Sequence, residues 1–477
     1  MSRINTNVSS LVAQKTLGRS NGQLQTSLTR LSTGLRINSG KDDPAGLIAS
    51  ENLRRDITAA NKAVTNSERA GQLIATADSA LGQVSNLLND IRGLVVEAAN
   101  SGALSEEQIS ANQLQIDSSL EAIDRIAQTT TFQGKALLDG SLDFQVEAGG
   151  TNGVGLDTVA DLVIDQANLG SAGSIDVTVT INNAAEQAEL TVAANGFTNN
   201  ALTDNLVVKI AGRDGAEVFT FQAGASQDDV ANAINLVSDA TGIEATNNNG
   251  VLELNSTAYG SKAFLDVEVI SEGASGTFGT NLSAVRDAGT NIVATVNGIQ
   301  ANGDGNKLSI NTSTLDLSVT VDAGSNTTVE FSIEGGGALI QLGPDVVSNQ
   351  QARIGIESLN TGSLGGTSGR LYELRAGNAK DLNTDPTNAA KIVDEVITKV
   401  AEIRGRLGAF QRTTLDTNIN SLSDLVANLT EAESSIRDAD FAAESANLTR
   451  AQVLTQSGTS VLGIANQNPQ NVLSLLR

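Results

Sequence analysis

An α+β fold is predicted for this 477-residue chain: long α-helical coiled-coil domains formed by both termini, with an inserted β-rich domain. Three observations predict it. Apolar residues recur in steps of three and four near both ends; they alternate in the middle; and only Pro44, Pro344, Pro386 and Pro469 interrupt the chain, so long helices are permitted. The apolar 40% is mostly Ala, Val, Leu and Ile, with 3% aromatics and no Trp. That composition suits helix seams and regular strands better than an irregular enzyme pocket.

At the front, Leu17, Leu24, Leu28, Leu31 and Leu35 mark a helix, with Ile4, Val8 and Leu11 one residue out of phase. Gly40 then breaks the chain, Asp43 caps the next helix and Pro44 fits its first turn. Along that helix Leu53, Ile57, Ala60 and Val64 precede a phase shift near Gly71, after which Ala77, Leu81, Val84, Leu88, Ile91 and Val95 form a coiled-coil seam. Ser105 and Gln108 make a capping box for a third helix through about Ile126. The turn-rich "TTTFQGKALLDG" leads into the strand "LDFQV".

The middle reads as β. Ile175, Val177, Val179 and Ile181 share one face, as do Leu315, Leu317, Val319 and Val321, and again Val329, Phe331 and Ile333. One short helix, capped by Ser226 and facing inward through Val230, Ala233, Ile234 and Val237, lies between the strands "VFTFQ" and "VLEL". The far end mirrors the front: "NTDPTNAAKIVDEV" repeats the Asp-Pro start, Val393, Val396, Val400, Ile403, Leu407 and Phe410 alternate, and Ile419, Leu422, Val426, Leu429 and Ile436 continue the seam.

Composition narrows the chemistry. Without His or Cys, zinc sites, thiol nucleophiles and imidazole catalysis are excluded, leaving carboxylate or lysine chemistry; no enzyme activity, metal or cofactor is expected. Thirty basic against 54 acidic residues, net −24, argue against nucleic acid. Most of the excess lies between residues 141 and 380, with 28 acidic and 9 basic side chains. No run approaches a membrane span, and the N-terminus lacks the apolar core of a cleavable signal. The glycine-rich stretch at 148–155 reads as a loop rather than a phosphate cradle, "NGDGN" at 302–306 as a type I′ hairpin turn rather than a calcium loop, and the paired aspartates at 42–43 and 228–229 as helix-start carboxylates.

The seams at 77–95 and 393–410 suit packing within the chain or between chains. The ends argue for the second. Leu448, Val453, Leu454, Val461, Leu462, Ile464, Val472, Leu473, Leu475 and Leu476 are worth ~15–30 kcal/mol if wholly buried, whereas ordering about thirty backbone residues costs on the order of 30–60 kcal/mol. A lone hairpin of the two ends buries one stripe of each, so it is marginal as a monomer. Stacking of identical subunits covers the rest.

The opening "INTNVSSLVAQKTLGRSNGQLQTSLTRLSTGLRINSGKDDPAGLIASENLR" and the closing "RDADFAAESANLTRAQVLTQSGTSVLGIANQNPQNVLSLLR" closely resemble the two ends of bacterial flagellin. The resemblance implies a homopolymeric filament subunit, exported by the flagellar type III apparatus without a cleaved signal. It also implies an export chaperone, a filament cap and hook-filament junction proteins as partners. Residues 1–43 with 440–477 would form the inner tube, 44–146 with 335–439 a helical shell with a β element, and 147–334 the variable outer domain with a strand-helix-strand insert near 204–270. Outer Ser and Thr residues either carry O-linked sugars or serve only as turn residues.

Subunit packing is expected at Leu24, Leu28, Leu31, Leu35, Leu81, Val84, Leu88, Ile91, Val95, Val396, Val400, Ile403, Leu407, Leu448, Leu454, Val461, Leu462, Leu473, Leu475 and Leu476. Relatives of the enterobacterial type are sensed by a Toll-like receptor. Arg92, Leu94 and Asn100 keep that pattern, whereas Asp90 stands where a basic residue is expected and Gln115 where an acidic one is; weaker receptor activation is implied. A hook-filament junction protein and a coiled-coil adhesin are the rival readings, and a protease insert is excluded because it needs histidines that this chain lacks.

Overall fold

The computed structural model describes residues 6–475 except 101, 103, 150–155, 171, 323 and 325–327, and side chains as far as 467 apart from residue 157. Ile4, Leu476 and most of the 148–155 loop therefore lie outside the described residues, as do the side chains of Val472, Leu473 and Leu475. The chain forms two compact units, Met1–Arg69 with Leu342–Val346 and Arg412–Arg477, and Ala70–Gln341 with Val347–Gln411.

Eight α-helices are described: α1 (Val8–Thr33), α2 (Pro44–Ala98), α3 (Glu106–Thr129), α4 (Gln227–Asn235), α5 (Ser238–Thr241), α6 (Pro386–Ala409), α7 (Thr417–Arg437) and α8 (Phe441–Leu475). Their starts are chemically explicit. Asp43 Oδ1 accepts the Gly46 amide at 2.9 Å, Ser105 and Gln108 cap each other's backbone, Ser226 and Asp229 do the same, and Asp385 accepts the Asn388 amide ahead of Pro386. Each supplies an acceptor for otherwise unpaired N–H groups.

Two seam expectations need correction. No phase shift occurs near Gly71: from Ala60 a buried seam runs through Ala63, Ser67, Ala70, Ile74, Ala77, Leu81, Val84, Leu88, Ile91, Val95 and Ala98 in unbroken steps of three and four, with Ala80 buried beside it. Small residues carry the seam through the stretch where large ones are missing. A shift does occur after α6, where Phe410–Asp416 is π-helical and the buried positions Phe410 and Leu415 are five apart. The wider π turn absorbs the extra residue, which is why the step of five from Phe410 to Leu415 cannot be built from threes and fours.

The second unit holds the β structure. A five-stranded sheet runs Ile299–Gln300, Val293–Val296, Ile175–Asn183, Val329–Gly336, Phe144–Ala148; a six-stranded sheet runs Asn302–Asp304, Lys307–Asn311, Leu315–Val321, Val159–Ala167, Gln351–Ile354, Ala338–Gln341. The alternating faces read from sequence supply one shared core, including Val177, Val179, Leu317, Val319, Phe331 and Ile333. A second core joins a four-stranded and a three-stranded sheet to α4. It packs Leu206, Val208 and Ile210 of the strand Leu206–Gly212 with Val230, Ile234, Leu254 and Phe278.

The boundaries expected at 146/147 and 334/335 fall inside Phe144–Ala148 and Val329–Gly336, which are hydrogen-bonded to each other. Ile354 also pairs with Gln166, so the β element after 335 shares a sheet with the expected insertion. The turn at 302–306 is a two-residue hairpin loop, but of its central residues only Gly305 has positive φ, at 60°. That is the type II′ pattern rather than type I′. A further strand, Ile243–Asn248, precedes "VLEL".

Candidate functional site

The termini meet as an antiparallel helical hairpin within the first unit. Asn7 Nδ2 donates to the Ala465 carbonyl at 2.7 Å, Leu17 packs beside Gly458, Ser27 Oγ donates to Glu444 Oε1 at 2.5 Å, and the Ala439 amide donates to the Gly34 carbonyl at 2.9 Å. Rising positions on α1 meet falling positions on α8. Gly34, at φ 75°, ends α1 in the left-handed conformation, which glycine adopts without a Cβ penalty.

The covered positions are Ser10, Ala13, Leu17, Ser20, Leu24, Ser27 and Leu31 on α1, and Glu444, Leu448, Ala451, Thr455, Gly458, Leu462 and Ala465 on α8. Both sets step by three and four. Small residues alternate with leucines, so the helices approach closely; a Cβ added at Gly458 would lie 3.2 Å from Leu17 Cδ1. Glu444 is 7% exposed, held by Ser27 and by Arg30 at 3.6 Å. A buried charge with so few partners fixes register, because sliding α8 along α1 strands it.

Sequence spacing placed Leu24, Leu31, Leu448 and Leu462 on this seam. Leu28 does not lie there, and Leu35 falls beyond α1, in a β-bridge with Asp438. The missed members are Ser10, Ala13, Ser20 and Ser27 on α1 and Glu444, Ala451, Thr455, Gly458 and Ala465 on α8; the seven-residue recurrence of Ala13, Ser20 and Ser27, and of Glu444, Ala451, Gly458 and Ala465, is legible only once small and polar residues are counted. Off the seam, Val8, Leu11, Val12, Leu28, Val453, Leu454, Val461 and Ile464 remain 45–63% exposed. Covering them is worth ~6–12 kcal/mol at half of full burial, and clustered apolar exposure marks an interaction surface.

In the second unit, Leu81, Val84, Leu88, Ile91, Val95, Val396, Val400, Ile403 and Leu407 are all buried. Asp90 and Gln115 are exposed and Leu94 is half-buried, while Arg92 donates to Asp394 at 3.2 Å.

A charged cluster fastens α6 to the six-stranded sheet. Lys399 lies 3.3 Å from both Asp161 and Glu357, and Arg406 pairs with Asp165 and donates to the Gly355 carbonyl at 3.1 Å. Burial alone would push the Lys399 ammonium down, but the Glu357 and Asp161 carboxylates together hold it above its usual value. Burial pushes Arg406 down to about 10, and raises Glu357 above 4.5 and Asp143 above 3.8. The folded chain thus holds these carboxyl protons more tightly than the unfolded one, so their stabilising effect is present at low pH and is lost as pH rises through the raised folded values. Thermal denaturation followed upward from about pH 4.5 is expected to show a falling transition. Glu357→Gln flattens that fall; an unchanged slope excludes Glu357 as its source.

Family models match both ends and the insert: the bacterial flagellin N-terminal helical region over residues 4–143, the bacterial flagellin C-terminal helical region over 390–476, and the flagellin hook IN motif over 207–258. The chain is 31% identical to the B-type flagellin of Pseudomonas aeruginosa, covering 99% of each chain. It is 30% identical to the flagellin of Escherichia coli strain K12, again over 99% of each. A solved structure of FliC from Burkholderia pseudomallei aligns at 15% identity with a TM-score of 0.25, covering 72% of this chain and 99% of that one, which is too low to inform the fold. On the strength of the full-length relatives, the chain belongs to the bacterial flagellin family.

Proposed function

We infer that this flagellin is a structural subunit of the bacterial flagellar filament. The observation that carries the reading is the hairpin of α1 and α8, closed by small residues along one seam while, among the described residues, nine large apolar side chains of these two helices, Phe441 included, stay exposed beside it. Neighbouring subunits bury those side chains, and the chain polymerises. Purified protein seeded with filament fragments is expected to elongate into tubes visible by electron microscopy; protein that stays monomeric contradicts the reading.

The inner tube comprises residues 1–43 with 440–477, the shell 44–146 with 335–439, and the outer domain the sheets between them, the passage from shell to outer domain running through the paired strands Phe144–Ala148 and Val329–Gly336. Export proceeds through the flagellar type III apparatus, with an export chaperone, a filament cap and hook-filament junction proteins as partners. Among the described residues no helix is long and apolar enough to cross a membrane. Toll-like receptor engagement is weak, because Asp90 and Gln115 present altered charge and Arg92 is shared with Asp394. A reporter assay giving the potency of a strong agonist overturns that last point.

A further inference from the structure

Asn-Gly occurs six times in the sequence, at Asn21, Asn152, Asn195, Asn249, Asn297 and Asn302; all but Asn152 are described. The pair is chemically labile because glycine leaves its amide nitrogen open to the preceding side chain, and reaction requires that nitrogen to reach the asparagine Cγ. The fold restrains most of these pairs. Asn21 lies inside α1, the Gly196 amide donates to the Ala193 carbonyl at 2.8 Å, and Asn302 is paired with Ser309 in a sheet.

Asn249 and Asn297 form a matched comparison. Both precede glycine in two-residue hairpin loops, with φ of 53° and 89° at Asn249 and Gly250 and of 48° and 79° at Asn297 and Gly298, the type I′ pattern. Their side chains differ. Asn297 Oδ1 accepts the Thr178 amide at 2.8 Å and its Nδ2 donates to the Asp176 carbonyl at 3.0 Å, clamping Cγ onto the neighbouring strand. Asn249 is exposed, and its side chain bonds, among the described residues, to the adjacent Asn248 Oδ1 at 3.3 Å. The Gly250 amide is held by a long bond to Asn247 Oδ1, at 3.2 Å, and the loop leaves an outer strand of its three-stranded sheet.

We propose that Asn249 is a site of spontaneous deamidation in the folded protein, and that Asn297 is protected by its clamp. The Gly250 backbone nitrogen attacks Asn249 Cγ; the N–Cγ bond forms, the Cγ–Nδ2 bond breaks, and ammonia leaves with the amide proton. Water opens the resulting succinimide at either carbonyl to give aspartate or isoaspartate. The net change is water in and ammonia out, with one added negative charge on an already acidic outer region. The isoaspartate product also lengthens the loop backbone by one atom, so the Asn248 to Val251 register is disturbed.

The test is peptide mass spectrometry of the full chain incubated at mildly alkaline pH, folded and in urea. In the folded chain Asn249 converts faster than Asn297 by roughly ten- to a hundredfold, the factor that two neutral hydrogen bonds are worth; in urea the two rates converge. Asn249→Gly removes the signal from its peptide. Equal folded rates, a faster Asn297, or a rate ratio that persists in urea overturns the proposal.

Discussion

Deleting residues 440–477 leaves a folded monomer that cannot polymerise. The deletion removes α8 and with it the partners of the α1 seam, from the Ala465 carbonyl that Asn7 engages to the Glu444 carboxylate that Ser27 engages. Helical stability in proteins comes mostly from tertiary packing of one face rather than from propensity, so α1, 26 residues long, frays once its partner is gone. The second unit keeps its own cores around Val179, Phe331, Leu254 and Phe278. Circular dichroism is expected to retain a cooperative thermal transition, and sedimentation to give monomers. Filaments from the shortened chain would refute the assembly role of the hairpin.

Replacing Val461 and Ile464 with Asp separates assembly from folding. Both side chains are more than half exposed and lie off the seam, so the monomer changes by only about 0.5 kcal/mol per site. In a filament the same positions become dry, and an unpaired buried carboxylate costs several kcal/mol. Even ~3 kcal/mol across the pair raises the critical concentration roughly a hundredfold. Seeded elongation measured against protein concentration is the check. Elongation at the unmodified concentration would show that this edge of α8 faces solvent in the polymer.

Much of the fold was legible because its signals are local. Ser105 with Gln108, Ser226, and Asp385 before Pro386 announce helix starts through bonds that span three residues, and the alternation of Val177, Val179 and Ile181 marks a strand whatever its partner. The site was only half legible. Leu24, Leu31, Leu448 and Leu462 stand out by hydropathy, whereas Ser20, Ser27 and Gly458 resemble surface residues until a second helix lies against them.

The terminal helices, the inserted strands and the absence of histidine and thiol chemistry follow from the residue order alone, since composition, capping and periodicity act within a few residues. Folding in three dimensions was needed to settle that Val179 pairs with Val329 and Val296 across more than a hundred residues, that a π turn absorbs the extra residue after Phe410, and which apolar side chains are left uncovered. Those outcomes depend on close approach between distant segments, and a small side chain gains its meaning there from what it allows to come near.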